Sequence, residues 1–184
     1  TEGAYGESGL TPMTKRRDRQ HAGPAPAEED AMNIAVISEL ERRHIPYELL
    51  PHPPTKTAAA EAHALHLPPD EVAKTLILGT QHGYVRALVP ASKRLDATKV
   101  AVALALNEVR LVPELELVSA YPEFEIGAIP PVAGPAHDRV IVDASFREHP
   151  WLVFEAGRRD ESVRVRTGDL LAATHAIVAD ICLD

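Results

Sequence analysis

The sequence has one cysteine, one tryptophan and only 4% aromatic residues in 184. A lone cysteine, Cys182, cannot close an internal disulfide or build a cysteine-rich zinc cluster. Set in the apolar AIVADICL, it reads as a buried, inert thiol. With aromatics scarce, Ala, Val, Leu and Ile must supply the core. The 45% hydrophobic content suffices for one soluble globular domain and hardly for two. Long apolar runs are missing as well. The longest, VAVALAL at 100–106, falls far short of the roughly 20 residues of a membrane span and reads as a helix packed in a core. An excess of positive charge is also absent: the formal charge is −8 and the pI is near 5.6. That argues against a broad nucleic-acid footprint and against DNA binding, but leaves room for gripping a short single-stranded end. The basic TKRRDRQ is followed by no hydrophobic segment, so there is no secretory pattern, and a cytoplasmic protein is expected.

Several motifs are lacking too. There is no GxGxxG after a strand, no GxxxxGK[ST], no GxSxG elbow and no HExxH, so neither cofactor nor metal is expected. His63 and His66 lie three apart on a helical stretch, but without a third ligand nearby they read as solvated helix residues. His137-Asp138 could be an acid–base pair; in a loop it reads as a chance neighbour.

Residues 1–30 are rich in Gly, Pro and charge, with almost no aliphatic residues, and read as a disordered tail in which Met13 is a candidate start. From residue 31 to 184 the texture is that of a folded domain. DAMNIAVISELERRH carries Met32, Val36 and Leu40 four apart and reads as an amphipathic helix. PYELL is a short strand. TAAAEAHALHL is a helix N-capped by Thr57 and ended by Pro68-Pro69. TLILG and YVRALVP are strands joined by the hairpin signal GTQHG. DATKVAVALAL is a helix N-capped by Asp96, EVRLV a strand, and PELELVSAY a helix with Pro113 in its first turn. FEIGAIPPVAGPAHD is too rich in Gly and Pro for regular structure. RVIVD, WLVFEAG and SVRVR are strands, TGDLLAAT a short helix and AIVADICL a last strand. Hairpins mixed with crossovers predict one α+β domain around a mixed, curved and partly barrel-like sheet.

Two local features stand out. In EVAKTLILG, Lys74 shares a strand face with Leu76 and Leu78, while Thr75 and Ile77 take the other. With both faces largely apolar, its ammonium must either snorkel out at the strand's start or project into a cavity. In GAIPP, Gly127 permits backbone geometry closed to other residues, and Pro130 and Pro131 stiffen the chain beyond it. Such a loop can hold N–H groups at fixed positions around a ligand, or be a plain rigid connection.

Taken with IPYELLPHPP, TAAAEAHALHLPPDEVAKTL, RLDATKVA, RVIVDAS and VFEAGRRDESVRVRTGDLL, in that order and spacing over roughly residues 33 to 183, these features resemble the YbaK/EbsC family. That family includes the editing domain of many bacterial prolyl-tRNA synthetases. The resemblance implies that family's editing-domain fold and an aminoacyl-tRNA deacylase: a trans-editing hydrolase that cleaves the ester of mischarged tRNA. The substrate it implies is the prolyl tRNA carrying a small wrong amino acid such as Cys or Ala. Its implied partners are the aminoacylated tRNA 3′ end and, as a second candidate, an aminoacyl-tRNA synthetase. Lys74 then matches the family's functional lysine, and Gly127, Ala128, Ile129, Pro130 and Pro131 match its GxxxP loop. Gly157 and Ser162 match a segment near the family pocket, and Asp143 lies on a neighbouring strand. Lys74 is expected to face a cleft shared with Gly127 to Pro131. Residues 70–110 carry six Lys and Arg against four Asp and Glu, a local net charge of +2 around that site. The competing reading is a non-catalytic module that binds tRNA or a synthetase.

Overall fold

The computed structural model describes residues 28–135 and 137–183, with side chains from residue 34. The tail expected over 1–30 lies outside the described residues except for its last three, which belong to the first helix. That helix, α1 (Glu28–Arg42), is followed by β1 (Tyr47–Pro51), α2 (Ala58–Ala64), β2 (Ala73–Thr80) and β3 (Gly83–Pro90). Next come α3 (Ala97–Ala103), β4 (Arg110–Leu111), α4 (Glu114–Ala120) and β5 (Arg139–Asp143). A 3₁₀ turn (Ala144–Glu148), β6 (Trp151–Arg158), β7 (Glu161–Arg166), α5 (Thr167–Thr174) and β8 (Ile177–Ala179) complete the order.

The strands form two open sheets rather than one partly barrel-like sheet. The small sheet, β1-β7-β6, is antiparallel. The large one runs β4-β2-β3-β5-β8, antiparallel on the β2 side and parallel from β3 through β5 to β8. A single parallel bridge, Val72 to Val153, links their margins. Period-two burial sorts the side chains into layers. Ile77, Leu88, Val140 and Val142 of the large sheet meet Leu152, Phe154, Val163 and Val165 of the small sheet, with Val36 and Leu40 of α1 closing this main core. The other face of the large sheet, Leu78, Val85, Ala87, Val89 and Ile141, is covered by α3 through Val100 and Ala101. The outer face of the small sheet is covered by α2, where Ala62 packs on Val72 and Val153.

The predicted N-caps are in place. Thr57 Oγ1 accepts from Ala60 N at 3.1 Å, and Asp96 Oδ1 accepts from Thr98 N at 2.8 Å. The helix ends differ from the sequence reading. The helix expected through Leu106 stops at Ala103, and Val102 is 77% exposed, so only one side of VAVALAL is core. Ala105 takes a left-handed conformation, with Leu106 N donating to Ala101 O and Ala105 N to Val102 O. This Schellman arrangement normally uses glycine. It recurs at His44 after α1, His66 after α2 and His175 after α5. AIVADICL is strand only over Ile177–Ala179, and Cys182 bridges Leu95 as a buried thiol.

One buried cation fixes the long Gly- and Pro-rich segment. Arg86 of β3 is 2% exposed and faces the main core. Its Nε donates to Asp138 Oδ2 at 3.0 Å and its Nη1 to Pro130 O at 2.8 Å. Tyr121 Oη donates to the same carboxylate oxygen at 2.6 Å, and its ring lies 5.3 Å from the guanidinium. Asp138 is therefore a structural counter-ion, not half of an acid–base pair with His137. Removing one partner of a buried pair strands the other, whereas removing both is much cheaper. Arg86→Met is expected to cost about 3–5 kcal/mol in urea unfolding, and Arg86→Met with Asp138→Asn clearly less.

Candidate active site

Lys74 is the second residue of β2 and stands opposite Val89 of β3. Alternation places it on the α3-covered face, beside Leu76, Val89 and Cys182. Its Nζ donates to the Lys93 carbonyl at 2.5 Å, so the ammonium neither snorkels freely nor lies unpaired. Burial holds the amine below the usual lysine value, and the neighbouring Arg94 charge lowers it further. Lys93 carries the contact onward: its own Nζ lies 3.5 Å from Asp143 Oδ1.

Asp143 ends β5 on this same face. Its Oδ1 accepts from Ser145 N at 3.2 Å and from Ser145 Oγ, and its Oδ2 accepts from Ile181 N at 3.1 Å. Burial raises its carboxyl, but these hydrogen bonds and one from Cys182 outweigh it, leaving Asp143 below the ordinary carboxylate value. Burial and the adjacent Asp143 push the Cys182 thiol up to about 12, which keeps it protonated and unreactive. An open cavity of about 250 Å³ is lined by Lys93, Asp143, Ala144, Ser145, Glu148 and Asp180. Lys93 and Asp143 line it, and Lys74 is joined to them through the Lys93 carbonyl.

Gly127 to Pro131 lie elsewhere. Ile129 and Val132 belong to the main core, and Pro130 O is bound by Arg86, so the loop packs on the opposite face of the large sheet from Lys74. Lys74 and this loop lie on opposite faces of the large sheet rather than facing one cleft, because period two sends Lys74 under α3 while Ile129 and Val132 pack in the core with Ile77 and Leu88. Gly127 itself is needed: its φ is +92°, and a Cβ there would stand 3.2 Å from Arg159 Nη2. Arg159 clamps the loop from the β6–β7 turn. Its Nε donates to Ile126 O at 2.9 Å, its Nη2 donates to the same oxygen, and its backbone N donates to Glu125 Oε2 at 3.0 Å. Ala128 N is engaged by Glu125 O at 2.9 Å, and the prolines have no N–H. Gly127 and Ile129 therefore hold the loop's candidate donors.

Gly157 and Ser162 belong to the small sheet. Gly157 O accepts from Glu125 N at 3.0 Å, which ties it to the Gly127 segment. Ser162 is fully buried; its Oγ donates to Glu61 Oε1 at 2.6 Å and lies 2.8 Å from His52 Nε2. The residue types are those of a catalytic triad, but the hydroxyl sits between the imidazole and the acid, so no acid orients the imidazole toward a nucleophile. Glu155 faces Ser162 across the strands. Burial raises Glu61 to about 7, while burial and then the charge of Glu61 raise Glu155 to about 9. Sequence reasoning missed His52, Glu61, Glu155 and Arg159. The one faint signal was Glu61, the single charged residue in the alanine-rich stretch TAAAEAHAL.

The local positive charge expected around the site is largely consumed. Arg86 pairs with Asp138, Lys99 with Asp180 at 2.9 Å, and Arg110 with Glu116 at 2.9 Å. Among the described residues no group of three or more His, Cys, Asp or Glu could hold a metal ion, and no helix is long and apolar enough to cross a membrane.

The two raised carboxyls carry a pH signature. An acid whose native value lies above its unfolded value binds more protons when folded, so stability is full below about pH 4.5 and falls as pH climbs toward the native values. The loss should run to about 7 for Glu61 and about 9 for Glu155. Glu155→Gln is expected to gain stability relative to wild type at pH 8 compared with pH 5, read by chemical unfolding at both values.

No curated protein matches the chain. Solved structures do. One described as "a putative trans-editing enzyme for prolyl tRNA synthetase" is 25% identical, with a TM-score of 0.74 over 83% of this chain and 98% of that one. A hypothetical protein is 28% identical, with a TM-score of 0.75 over 81% of this chain and 99% of that one. A chain from a computational epitope-grafting design, 24% identical with a TM-score of 0.73 over 83% of this chain and 97% of that one, shares the fold. The sequence profile of the aminoacyl-tRNA editing domain matches residues 52–173, well over half of the chain. The protein belongs to the aminoacyl-tRNA editing domain family.

Proposed function

We propose that the protein is a deacylase that hydrolyses the ester of mischarged tRNA in trans, with prolyl tRNA carrying Cys or Ala as the first substrates to test. The observation that carries this reading is Lys74: a half-buried ammonium, held by one backbone carbonyl and joined through Lys93 to Asp143 at an open cavity, in a chain of the editing family. The need for such an enzyme is physical. A synthetase pocket distinguishes amino acids by only about 1–3 kcal/mol per methylene, so a second site must remove what the first admits.

In this reading the strand end approaches the cavity and exchanges the Lys93 carbonyl for a substrate oxygen at Lys74 Nζ. The ammonium then stabilises the negative charge that develops as the ester carbonyl is attacked. Asp143 keeps Lys93 in place and repels a misplaced phosphate. The Gly127 to Pro131 loop, with Gly157 tied to it through Glu125, serves as a separate contact region for RNA away from the ester, while Ser162, buried between His52 and Glu61, positions those side chains. With Ser162 buried and Cys182 protonated, the attacking group is water or the substrate's own hydroxyl or thiol. The working location is the cytoplasm, where mischarged tRNA arises, and a synthetase is the candidate protein partner.

One observation favours the second reading, a binding module without turnover. Lys74 and Gly127 to Pro131 lie on opposite faces of the sheet, as a chain that had lost its reaction but kept its fold could allow.

Alanyl-, cysteinyl- and seryl-tRNA panels decide between the two. Wild type should release amino acid from at least one of them, and binding without release from any would establish the module instead. Lys74→Gln keeps an N–H for the Lys93 carbonyl while deleting the charge. It should lower kcat/KM about a hundredfold or more, the scale of losing one donor at a developing oxyanion, with the unfolding midpoint unchanged.

A further inference from the structure

The single tryptophan is not used in the core. Trp151 opens β6 and is 36% exposed. It lies on the small-sheet face turned away from the main core, since Leu152, Phe154 and Ala156 alternate inward. Directly across the strands stands Arg166, and two residues along β7 stands Arg164. The two guanidiniums lie 4.7 Å and 5.4 Å from the indole centre. Arg166 is exposed, while Arg164 also reaches Glu48 Oε2 at 2.5 Å, so the patch retains a net positive charge.

Its position is as informative as its composition. Ser162, Arg164 and Arg166 alternate on the same face of β7. The bridge from Val72 to Val153 sets Lys74 two residues beyond the crossing on one strand and Trp151 two residues before it on the other. At about 3.3 Å per residue, Trp151 and Lys74 are on the order of 13 Å apart along the strand direction, with α2 packed over Val72 and Val153 between them. Both guanidiniums lie over the ring, so a base stacks by taking the place of one of them over the indole or by lying on the guanidinium plane, while the cations meet the flanking phosphates. An acidic peptide would satisfy the cations and leave the ring unused.

We propose that Trp151, Arg164 and Arg166 form a stacking platform that receives the RNA strand as it leads toward Lys74. The assignment rests on the deacylase reading for its choice of RNA. Trp151 positions the strand and takes no part in bond cleavage.

The lone tryptophan provides its own probe. An RNA hairpin with a single-stranded 3′ overhang should quench Trp151 emission as it saturates the protein, and a blunt hairpin should quench it less. Trp151→Ala should weaken binding of the labelled overhang hairpin about tenfold, the scale of one stacked base, and Trp151→Phe should recover most of that. Arg166→Gln should reduce the slope of log affinity against log salt by about 0.7, one single-strand phosphate contact. Hydrolysis of aminoacyl-adenosine, which carries the ester without a strand, should be unchanged in all three. Flat emission while the labelled RNA binds, or wild-type affinity in Trp151→Ala, overturns the platform even if charged tRNA is hydrolysed. A Trp151 response with no hydrolysis of any charged tRNA leaves the platform standing and removes the deacylase reading. Absence of RNA binding removes the platform, and leaves the deacylase reading to the charged-tRNA panels.

Discussion

Much of this molecule hangs on one guanidinium. Arg86 enters the main core from the central strand β3 and is met there by the Asp138 carboxylate, the Tyr121 hydroxyl and ring, and the Pro130 carbonyl. A segment with five prolines and glycines between residues 127 and 135 cannot organise itself by a backbone ladder. It takes its order from a charge that the core could not otherwise tolerate. The arrangement works in both directions, because the loop that Arg86 fixes also supplies the oxygens that make its burial tolerable. The second anchor, Arg159, arrives from the other sheet and holds the carbonyl immediately before Gly127. Two arginines from two sheets thus define the loop that the family resemblance singles out.

The lysine at the start of β2 follows different rules. A strand margin is where a long side chain can keep its stem among apolar neighbours and still find a polar partner for its tip. Lys74 finds the Lys93 carbonyl, which is a neutral partner and so a replaceable one. A carboxylate would hold it more strongly and leave less for a substrate. The carboxylate that is nearby, Asp143, is instead saturated by Ser145 and the Ile181 N–H and touches Lys93. The constellation therefore keeps one cation only loosely occupied, which is the state a binding site requires.

How much of this could be read from the sequence depends on the range of the interaction. Strand positions follow from period-two alternation and β-branched content, and RVIVD and SVRVR fold as that pattern demands. Both predicted N-caps are local hydrogen bonds spanning two or three residues, and both form. The order of elements carried the family, and with it the fold, although not the division into two open sheets. Long-range pairings left no trace. Arg86 and Asp138 are 52 positions apart, and Ser162 and Glu61 are 101 apart; nothing local to either partner names the other. Alternation placed Lys74 on the face of Leu76 and Leu78, yet it could not say over which face the Gly127 loop would cross. That depended on Arg86, itself hidden in an apolar strand.

Four helices end on the same left-handed turn, and none of the four positions holds glycine: His44, His66, Ala105 and His175 take it instead. Each such residue retains a steric penalty that a missing Cβ would relieve. None of the four belongs to Gly127 to Pro131, the Lys74 constellation or the Trp151 platform, although His175 lines a cavity with Pro131 and His66 ends the helix over the outer face of the small sheet. The fold therefore carries a reserve of unclaimed stability, clearest at His44 and Ala105. A lineage of such proteins could draw on that reserve to offset destabilising changes in the pocket, and so move from one wrong amino acid to another without losing the scaffold.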